Sequence, residues 1–375
     1  MNKPYHFVII IFLLLTFEFN ISPGFAIPDL KNKNSEFLKP GIIQHNIKLD
    51  SVRGPIQAYV LEIDLLNDNI SFLNAYPNPE FLRTKKKLSD LTLQYMAFAG
   101  VNTSYFDVKE GNSLGLNKSK NKWITGSVYN RAAIGFSEDN RVLFNRVKLI
   151  GKVSKTQSNL RSSISDVYIS CYNTPRKVGM GICLYDGKWG IQFIPEVGDS
   201  IASVKDSCVI DHSNSKANIR ENDYILVGPH KDLENIFMIG DCLNIDWQTE
   251  PSFNNFKEVI SGGPFLLKDG ELYIDDVEER LVFHGMNFYA PRTAIGVDEK
   301  NKLYIVVVDG RQENLSVGMS LKELAIFLKH LGLKSAINLD GGGSSTLVVN
   351  GKILNNPSDN EERAISNGLL IYYKD

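Results

Sequence analysis

The sequence predicts an α+β fold, a β-rich mixed α/β chain with twisted mixed sheets and few helices. Short apolar runs typical of strands dominate the chain and are separated by tight turns. Only one segment, near residue 320, carries a complete set of helix signals. Two separate stretches also resemble each other, which predicts two pseudo-related halves around one cleft.

Dipeptide turns separate several of the predicted strands. Asn-Gly and Asp-Gly pairs supply the positive φ angles that two-residue hairpins require. The sequence therefore predicts three such turns, at Asp186-Gly187, Asp269-Gly270 and Asn350-Gly351.

The one well-defined helix begins after Ser320, a natural N-cap that forms a capping box with Glu323. Gly332 ends it. A second, weaker helix is predicted over Lys87–Tyr95. The apolar face of the first helix comprises Leu321, Leu324, Ala325, Leu328 and Leu331.

This helix lies between two apolar strands, residues 303–308 and 335–339, which predicts a β-α-β unit with parallel strands. Asp309 and Asp340 each follow the end of a strand, so both are expected at one edge of the sheet, where α/β folds bind ligands. Two carboxylates there can divide acid, base or nucleophile roles. The alternative is that one or both only hold turns.

The internal echo consists of an arginine-led segment and, upstream of it, a strand that ends in a polar turn. Two related halves facing one cleft would place Asn102 and Ser261 at matching depths and Arg131 near a position equivalent to Arg292. The alternative is one hairpin type used twice by chance. The paired stretches are residues 131–141 with 292–302, and 101–106 with 260–265.

The string from Asp340 to Thr346 is the most informative motif. Gly341, Gly342 and Gly343 directly follow a buried strand, which permits positive φ and close approach of a ligand. Successive N–H groups can form an anion nest, and Ser344 and Ser345 add hydroxyl groups. A flexible turn without a ligand is the alternative.

Arg292 follows Pro291 at the start of a strand, and a guanidinium group suits bidentate recognition of phosphate or carboxylate. A structural ion pair is the competing interpretation. The glycine-rich segment adds support for an anion site, and both interpretations stay open.

Other familiar sites do not match. Ser344 stands where a P-loop needs lysine, and Thr346 stands where a nucleophile elbow needs glycine. The six histidines are scattered and give little support to a triad or a zinc site, although His284 lies near Arg292. With 41 Lys and Arg residues against 43 Asp and Glu, the net charge of -2 does not favour nucleic acid as a partner.

The N-terminus predicts export. A basic start and an apolar run of eleven residues, too short to cross a bilayer, indicate a signal peptide over residues 1–26. Residues 27–40 form a polar leader and residues 41–375 the main domain. An uncleaved anchor is the alternative. In an oxidising compartment two disulfides are plausible, with three pairings open among Cys171, Cys183, Cys208 and Cys242, and four free buried thiols are the alternative.

Together, these strings resemble the phosphodiester glycosidase family. The resemblance runs from about residue 50 to the C-terminus and is strongest in the last third. The matching pieces are residues 102–107, 261–265 with Asp269-Gly270, 291–296, 309–312, 338–346 and 356–359 with Arg363.

This resemblance implies an exported hydrolase that cleaves the glycosidic bond of a sugar-1-phosphodiester of the N-acetylglucosamine type or a related glycan. Asp340 is then the leading catalytic carboxylate and Asp309 the second, while Arg292 and the Gly341–Gly343 nest take the phosphate. The remaining substrate-binding candidates are Asn102, Ser261, Gly262, Gly263, Thr293, Ser344 and Ser345.

Thr103-Ser104 and Ala290 depart from the family pattern, which leaves the identity of the sugar more open than the reaction class. No metal or other cofactor is expected, although a structural calcium ion at Asp309 and Asp340 is left open. The expected partner is a glycan or sugar phosphate, without nucleic acid or a stable membrane anchor, at a secreted or envelope location. Two rivals remain: a non-catalytic carbohydrate- or envelope-binding module, and a metal-dependent phosphodiesterase.

Overall fold

The computed structural model describes residues 33–157, 167–176, 180–220, 222–275, 279 and 288–374. The predicted signal peptide, residues 27–32 of the leader and His284 lie outside the described residues. Strands far outnumber the three α-helices of the described part, so the expectation of a β-rich mixed fold with few helices is confirmed. No helix in these ranges combines the length and apolarity needed to cross a bilayer.

The elements follow in chain order. The first strands and helix are β1 (Lys33–Lys39), β2 (Ile42–Ser51), β3 (Gly54–Asp64), β4 (Ile70–Ala75), α1 (Leu88–Gln94), β5 (Ala99–Asn102), β6 (Asn117–Ser119), β7 (Lys122–Thr125), β8 (Ala132–Phe136) and β9 (Val142–Arg146). The middle elements are β10 (Lys148–Gln157), β11 (Val167–Tyr172), β12 (Ile182–Asp186), β13 (Gln192–Phe193), β14 (Asp199–Lys205), β15 (Cys208–Ser213), β16 (Ala217–Asn218), β17 (Tyr224–Pro229), α2 (His230–Ile236) and β18 (Cys242–Glu250). The last are β19 (Glu258–Ser261), β20 (Phe265–Lys268), β21 (Glu271–Leu272), β22 (Arg292–Asp298), β23 (Lys302–Val308), α3 (Leu321–His330), β24 (Leu333–Asn338), β25 (Leu347–Val349), β26 (Lys352–Ile353) and β27 (Gly368–Tyr373).

Three sheets form the body of the protein. An eight-stranded sheet has the order β1-β2-β3-β23-β22-β24-β20-β21, and two five-stranded sheets have the orders β7-β6-β19-β8-β9 and β26-β25-β5-β27-β4. One face of the eight-stranded sheet packs against both smaller sheets through a shared apolar core that includes Leu61, Val101, Ile134, Ile260 and Ile337. Burying all three sheets on one core brings their strand ends close together.

The predicted β-α-β unit is present, with one strand more than the sequence indicated. Strands β23 and β24 are parallel, but β22 lies between them and pairs antiparallel with both. Asp309 and Asp340 therefore follow the ends of two strands at the same edge, as expected. Because β22 runs the other way, its first residue, Arg292, lies at that edge too.

Helix α3 covers the opposite face of the eight-stranded sheet. Its Ser320–Glu323 capping box is formed as predicted, and Leu321, Leu324, Ala325 and Leu328 are buried against the strands. Helix α1, Leu88–Gln94, confirms the weaker prediction within one residue at each end.

Two of the three hairpin predictions are confirmed and one is wrong. Asp269-Gly270 joins β20 to β21 and Asn350-Gly351 joins β25 to β26, with positive φ at all four residues. The prediction at Asp186-Gly187 is wrong as a hairpin, since β12 pairs with β11 and β17 instead of with the next strand. Asp186 Oδ1 accepts the backbone N–H of Lys188 (2.9 Å), which bends the chain locally without reversing it into a paired strand.

A closed barrel of order β10-β11-β12-β17-β14-β15-β18 is inserted between β9 and β19. Its interior packs continuously against Leu116, Ala133 and Val259 of a five-stranded sheet. Both disulfides lie in this barrel, and all four cysteines are paired. They join Cys171 to Cys183 and Cys208 to Cys242.

Candidate functional site

Three strand ends meet below the glycine-rich segment. The N–H of Asp340, after β24, donates to Thr103 O after β5 (2.8 Å), and the N–H of Gly263, after β19, donates to Asn338 O (2.7 Å). A Cβ on Gly262 would lie 2.2 Å from Asn338 O, so only glycine permits this approach. The floor of the site is thus built from all three sheets.

Asn102 fastens this floor. Its Nδ2 donates to the backbone carbonyl of Asp340 (2.6 Å), while its Oδ1 accepts from Thr293 Oγ1 (2.9 Å) and from the N–H of Thr346 (3.1 Å). The Asn102 side chain is fully buried. Asn102 therefore holds both ends of the segment 340–346 from within the protein. Thr293, which was also predicted for the site, takes part through its hydrogen bond to Asn102.

The Asp340 carboxyl lies at the centre of the edge. Burial raises its pKa to about 6, and the Ser344 hydroxyl, the positive charge of Arg363 and the N–H of Gly341 oppose that rise. A carboxyl with a pKa near 6 is mostly ionised at neutral pH yet close to exchanging its proton. Asp340 has the environment of a functional carboxylate, whose backbone is held on both sides by Asn102 and Thr103.

The three glycines form a tight turn and not an open nest. Gly342, with φ of 61°, donates its N–H to Pro291 O (2.9 Å), and residues 342–344 make one 3-10 turn. The N–H of Gly341 is directed to the Asp340 carboxylate. The N–H of Gly342 already has an acceptor inside the protein, so the glycines mainly create room for the side chains above them.

Arginine side chains occupy that room. A Cβ on Gly342 would lie 3.1 Å from Arg311 Nη2, and a Cβ on Gly343 would lie 2.3 Å from Arg363 Nη2 and 2.1 Å from Asp359 Oδ2. Arg363 is ion-paired to Asp359 (2.5 Å). Glycine at both positions is needed because two guanidinium groups pack directly on the turn.

Arg292 is fixed beside them. Its Nε donates to Met319 O (2.8 Å) and its Nη2 to Phe288 O (2.5 Å). Burial lowers its pKa, as does the nearby positive charge of Arg311, while the Tyr105 and Glu323 side chains act in the other direction. Two arginines held near each other in a partly buried place form an environment that favours an anion.

Tyr105 links the two halves of the internal echo. Its hydroxyl donates to Gly263 O (2.8 Å) and accepts from Asn338 Nδ2 (2.8 Å). Burial, followed by the charge of Asp340, raises its pKa to about 12, and the charges of Arg131 and Arg292 oppose this. The Arg131 guanidinium lies 5.3 Å from the Tyr105 ring centre. The positive charges of Arg131 and Arg292 thus both lower the pKa of Tyr105, and the two arginines lie on the same side of the molecule, near Asp340.

Asp309 has a different environment. Its residue surface is fully buried, and its carboxylate accepts from Asn355 Nδ2 (3.1 Å) and from the N–H (3.0 Å) and Nδ2 (3.3 Å) of Asn356. Asn355 in turn donates to Ser345 O (2.9 Å). This arrangement gives Asp309 the turn-holding role that sequence reasoning had left open. Its surrounding N–H donors also do not suit a calcium ligand, since their partial positive charge would face the ion.

The other predicted residues line the floor below Asp340. Ser345 Oγ lies 3.1 Å from Thr293 Oγ1, and Ser344 is fully buried next to the Asp340 carboxylate. The hydroxyl of Ser261 faces inward, since a Cβ on Gly115 would lie 2.0 Å from it. The structure thus brings the predicted residues to one place, with Ser261 and Asp309 facing the interior.

Sequence reasoning did not include Tyr105, Arg131, Arg311, Asp359 or Arg363 among the site residues. All of them stand in the strings singled out above, but an isolated arginine or tyrosine gives no local signal of its role. The run of three glycines is the usable signal, because each missing side chain marks a place that another group fills.

Residues 199–372 match the family model described as Phosphodiester glycosidase. A segment of 115 residues is 38% identical to the N-acetylglucosamine-1-phosphodiester alpha-N-acetylglucosaminidase of Bos taurus, covering 28% of this chain and 21% of that protein. The chain therefore spans about a fifth of the length of this relative.

Two solved structures share the fold. A hypothetical protein from Synechocystis has a TM-score of 0.82 at 22% identity and covers 91% of this chain and 64% of its own. The second is the catalytic domain of zebrafish N-acetylglucosamine-1-phosphodiester alpha-N-acetylglucosaminidase, auto-inhibited by its pro-peptide. It has a TM-score of 0.52 at 21% identity, and the match covers 91% of this chain and 88% of the zebrafish domain. Both likenesses concern the fold.

Proposed function

Because residues 199–372 match the phosphodiester glycosidase family model, we propose that the protein is a hydrolase that cleaves the glycosidic bond of a sugar-1-phosphodiester. The sugar is of the N-acetylglucosamine type or a related glycan unit. One observation carries the proposal: the Asp340 carboxyl, with its pKa raised to about 6, lies on a glycine turn that is packed by the guanidinium groups of Arg311 and Arg363.

This combination of charges suits the reaction. The bond between the anomeric carbon and the phosphate oxygen breaks, its electron pair leaves with the phosphate, and water supplies the new oxygen on the sugar while releasing a proton. Arg292 and Arg311 stabilise the negative charge that gathers on the leaving phosphate. The ionised Asp340 stabilises the positive charge that develops on the sugar ring.

The remaining residues act through these groups. Asn102 and Thr293 hold the backbone of Asp340 and the turn after it, and Asp309 supports the same turn through Asn355. They are positioning residues in this proposal. In this proposal the two similar hairpins lie on two sides of the substrate, which is supported by the effect of both the Arg131 and the Arg292 charge on Tyr105.

We further propose that the protein works outside the cytoplasm. Two disulfides within one barrel are typical of oxidising compartments. The predicted signal peptide is consistent with this location, and glycan phosphodiesters of a cell envelope are a fitting substrate class.

The test is an assay of purified protein with methyl N-acetylglucosamine-1-phosphate, in which free sugar and methyl phosphate are quantified. We expect equimolar release by the wild type, and a loss of more than about 100-fold in kcat for Asp340→Asn. The Asp50→Asn variant, on strand β2 of the eight-stranded sheet, is the control and should keep full activity. Tight binding of the ester by the wild type without turnover would support the binding-module alternative instead.

A further inference from the structure

A cavity lies between the barrel and the body of the protein, away from Asp340, and we call it the barrel cleft. It has a volume of about 970 Å³. Its body side is formed by the end of β4 with Tyr76 and by the turn at Lys120–Lys122, and its barrel side by strands β12, β17 and β18. None of the residues discussed around Asp340 lines it.

Aromatic rings form part of the wall. Tyr95, Tyr224 and Trp247 line the barrel cleft and are half-buried, so each has ring surface left for a ligand. Trp247 packs against Tyr172, which also lines the barrel cleft, with ring centres 4.9 Å apart. Half-buried aromatic rings that carry a polar group suit ligands with both apolar and hydroxylated faces, as sugar rings have.

Polar groups between the rings are held in place. The Asp186 carboxylate accepts from Tyr172 Oη (2.7 Å) and Asn173 Nδ2 (2.9 Å) and lies 3.7 Å from Lys188 Nζ. Asp186, Lys188 and Asp223 all line the barrel cleft. Charges of both signs, fixed before a ligand arrives, favour a hydroxyl-rich ligand over an alkyl chain or a polyanion.

The barrel cleft lies near the strand end that carries Asn102, whose side chain is hydrogen-bonded to Asp340 O. Strands β4 and β5 are parallel on either side of β27, and Ala75 and Asn102 both pair with Gly368. The ends of β4 and β5 are thus two strand spacings apart, about 10 Å. Beyond them, hydrogen bonds run from Asn74 to Asn117 (3.2 Å) and from Ser104 to Asn117 (3.0 Å), so the cleft wall is joined to the residue before Tyr105.

We propose that the barrel cleft binds the glycan chain that extends from the scissile sugar phosphodiester. This inference rests on the proposed function for the reaction at Asp340, but it concerns a separate set of residues. The barrel would then select long glycan phosphodiesters over minimal ones by adding contacts away from the reacting atoms, which lower KM more than they raise kcat.

The experiment compares two substrates on the full chain: methyl N-acetylglucosamine-1-phosphate, and the same phosphodiester carrying a pentasaccharide in place of methyl. For the wild type we expect a KM at least about 10-fold lower for the long substrate. Trp247→Ala and Lys188→Ala should remove most of that difference and leave both constants for the methyl ester unchanged. Trp247→Phe should retain part of it.

Trp247 packs on Tyr172 and on Gly151, so thermal unfolding of each variant is measured, and Lys188→Ala keeps the test valid where Trp247→Ala unfolds the barrel. Equal KM values for the two substrates in the wild type would overturn the proposal. If neither substrate is turned over, the proposed function is wrong, but the glycan site can still be tested. The free pentasaccharide is then titrated into the protein while tryptophan fluorescence is followed. Saturable quenching that is lost in Trp247→Phe supports the glycan site, whereas no binding, or binding of a long alkyl phosphate alone, contradicts it.

Discussion

The side chain of Asn102 donates a hydrogen bond to the backbone carbonyl of Asp340 (2.6 Å), although the two residues are 238 positions apart in the chain. The same side chain accepts from Thr293 and Thr346, so one amide joins strand β5, strand β22 and the segment after β24. The position of the central carboxylate therefore depends on a residue that is itself fully buried.

Replacing Asn102 should impair catalysis more than binding. In Asn102→Asp, the acceptor for Thr293 and Thr346 remains, but the donor to Asp340 is lost. We expect kcat to fall about 10- to 100-fold with little change in KM, and the free energy of unfolding to fall by about 1–3 kcal/mol. Steady-state kinetics and urea unfolding measure the two effects.

Asn140→Asp is the matched control for that variant. Asn140 is also buried and donates its Nδ2 to a backbone carbonyl, that of Ile70 (2.7 Å), but it lies in the β8–β9 hairpin. It should show a similar loss of stability with unchanged kcat. An equal fall of kcat in both variants would mean that lost stability alone explains the effect of Asn102.

The pH dependence of activity should report the Asp340 carboxyl. Since the proposed reaction needs its ionised form, kcat/KM, which reports groups of the free enzyme, should rise with pH through an inflection at about 6, the raised pKa of Asp340. The positive charge of Arg363 holds that pKa down. Arg363→Met should therefore move the inflection to higher pH and Arg363→Lys should move it less, as measured by pH–rate profiles. An inflection that stays in place in Arg363→Met would show that another group titrates.

Gly343 should not tolerate a methyl group. A Cβ there would lie 2.1 Å from Asp359 Oδ2 and 2.3 Å from Arg363 Nη2, so Gly343→Ala has to displace the ion pair above Asp340. We expect a loss of about 10-fold or more in kcat/KM. Gly228→Ala in the barrel, where the nearest atoms are 3.3 Å away, is the control and should keep its activity. Full activity of Gly343→Ala would show that catalysis does not depend on the position of the Arg363–Asp359 ion pair.

Asp309 should support the site without titrating in it. Asp309→Asn turns one acceptor into a donor that faces the donors of Asn355 and Asn356, so we expect a loss of stability of about 1–3 kcal/mol and a lower kcat. The inflection of the pH–rate profile should stay at about 6. An Asp309→Asn variant whose inflection disappears would assign the titrating carboxylate to Asp309 instead.

Local signals predicted the local structure well. The capping box of Ser320 and Glu323 and the turn at Asn350-Gly351 each depend on neighbouring residues, and both form as expected. The shared edge of Asp309 and Asp340 also followed from the sequence, because the helix between the two strands favours parallel strands. The pairing of β22 with β23 is a local hairpin, but the pairing of β22 with β24, such as Ala294 with Asn338, joins residues far apart in the chain, which no local pattern reveals.

The central carboxylate of the candidate site could be identified from the sequence, but the orientation of the surrounding polar side chains could not. The three glycines marked Asp340, but whether a polar side chain faces inward or outward depends on packing between sheets. Asn102 and Ser261 were expected to meet the substrate, yet Asn102 uses its amide within the protein and Ser261 faces Gly115. The barrel cleft combines residues from β4 to β18 and has no signal within any one segment.

The measurement that tests the central claim most directly is the fate of labelled oxygen during hydrolysis in ¹⁸O-water. Breaking the bond at the anomeric carbon places the label on C1 of the released sugar and leaves methyl phosphate unlabelled, and this is the expected result by mass spectrometry at the first turnover. Label in methyl phosphate and none in the sugar would show cleavage between phosphorus and oxygen. That result would contradict a glycosidase and establish the phosphodiesterase alternative.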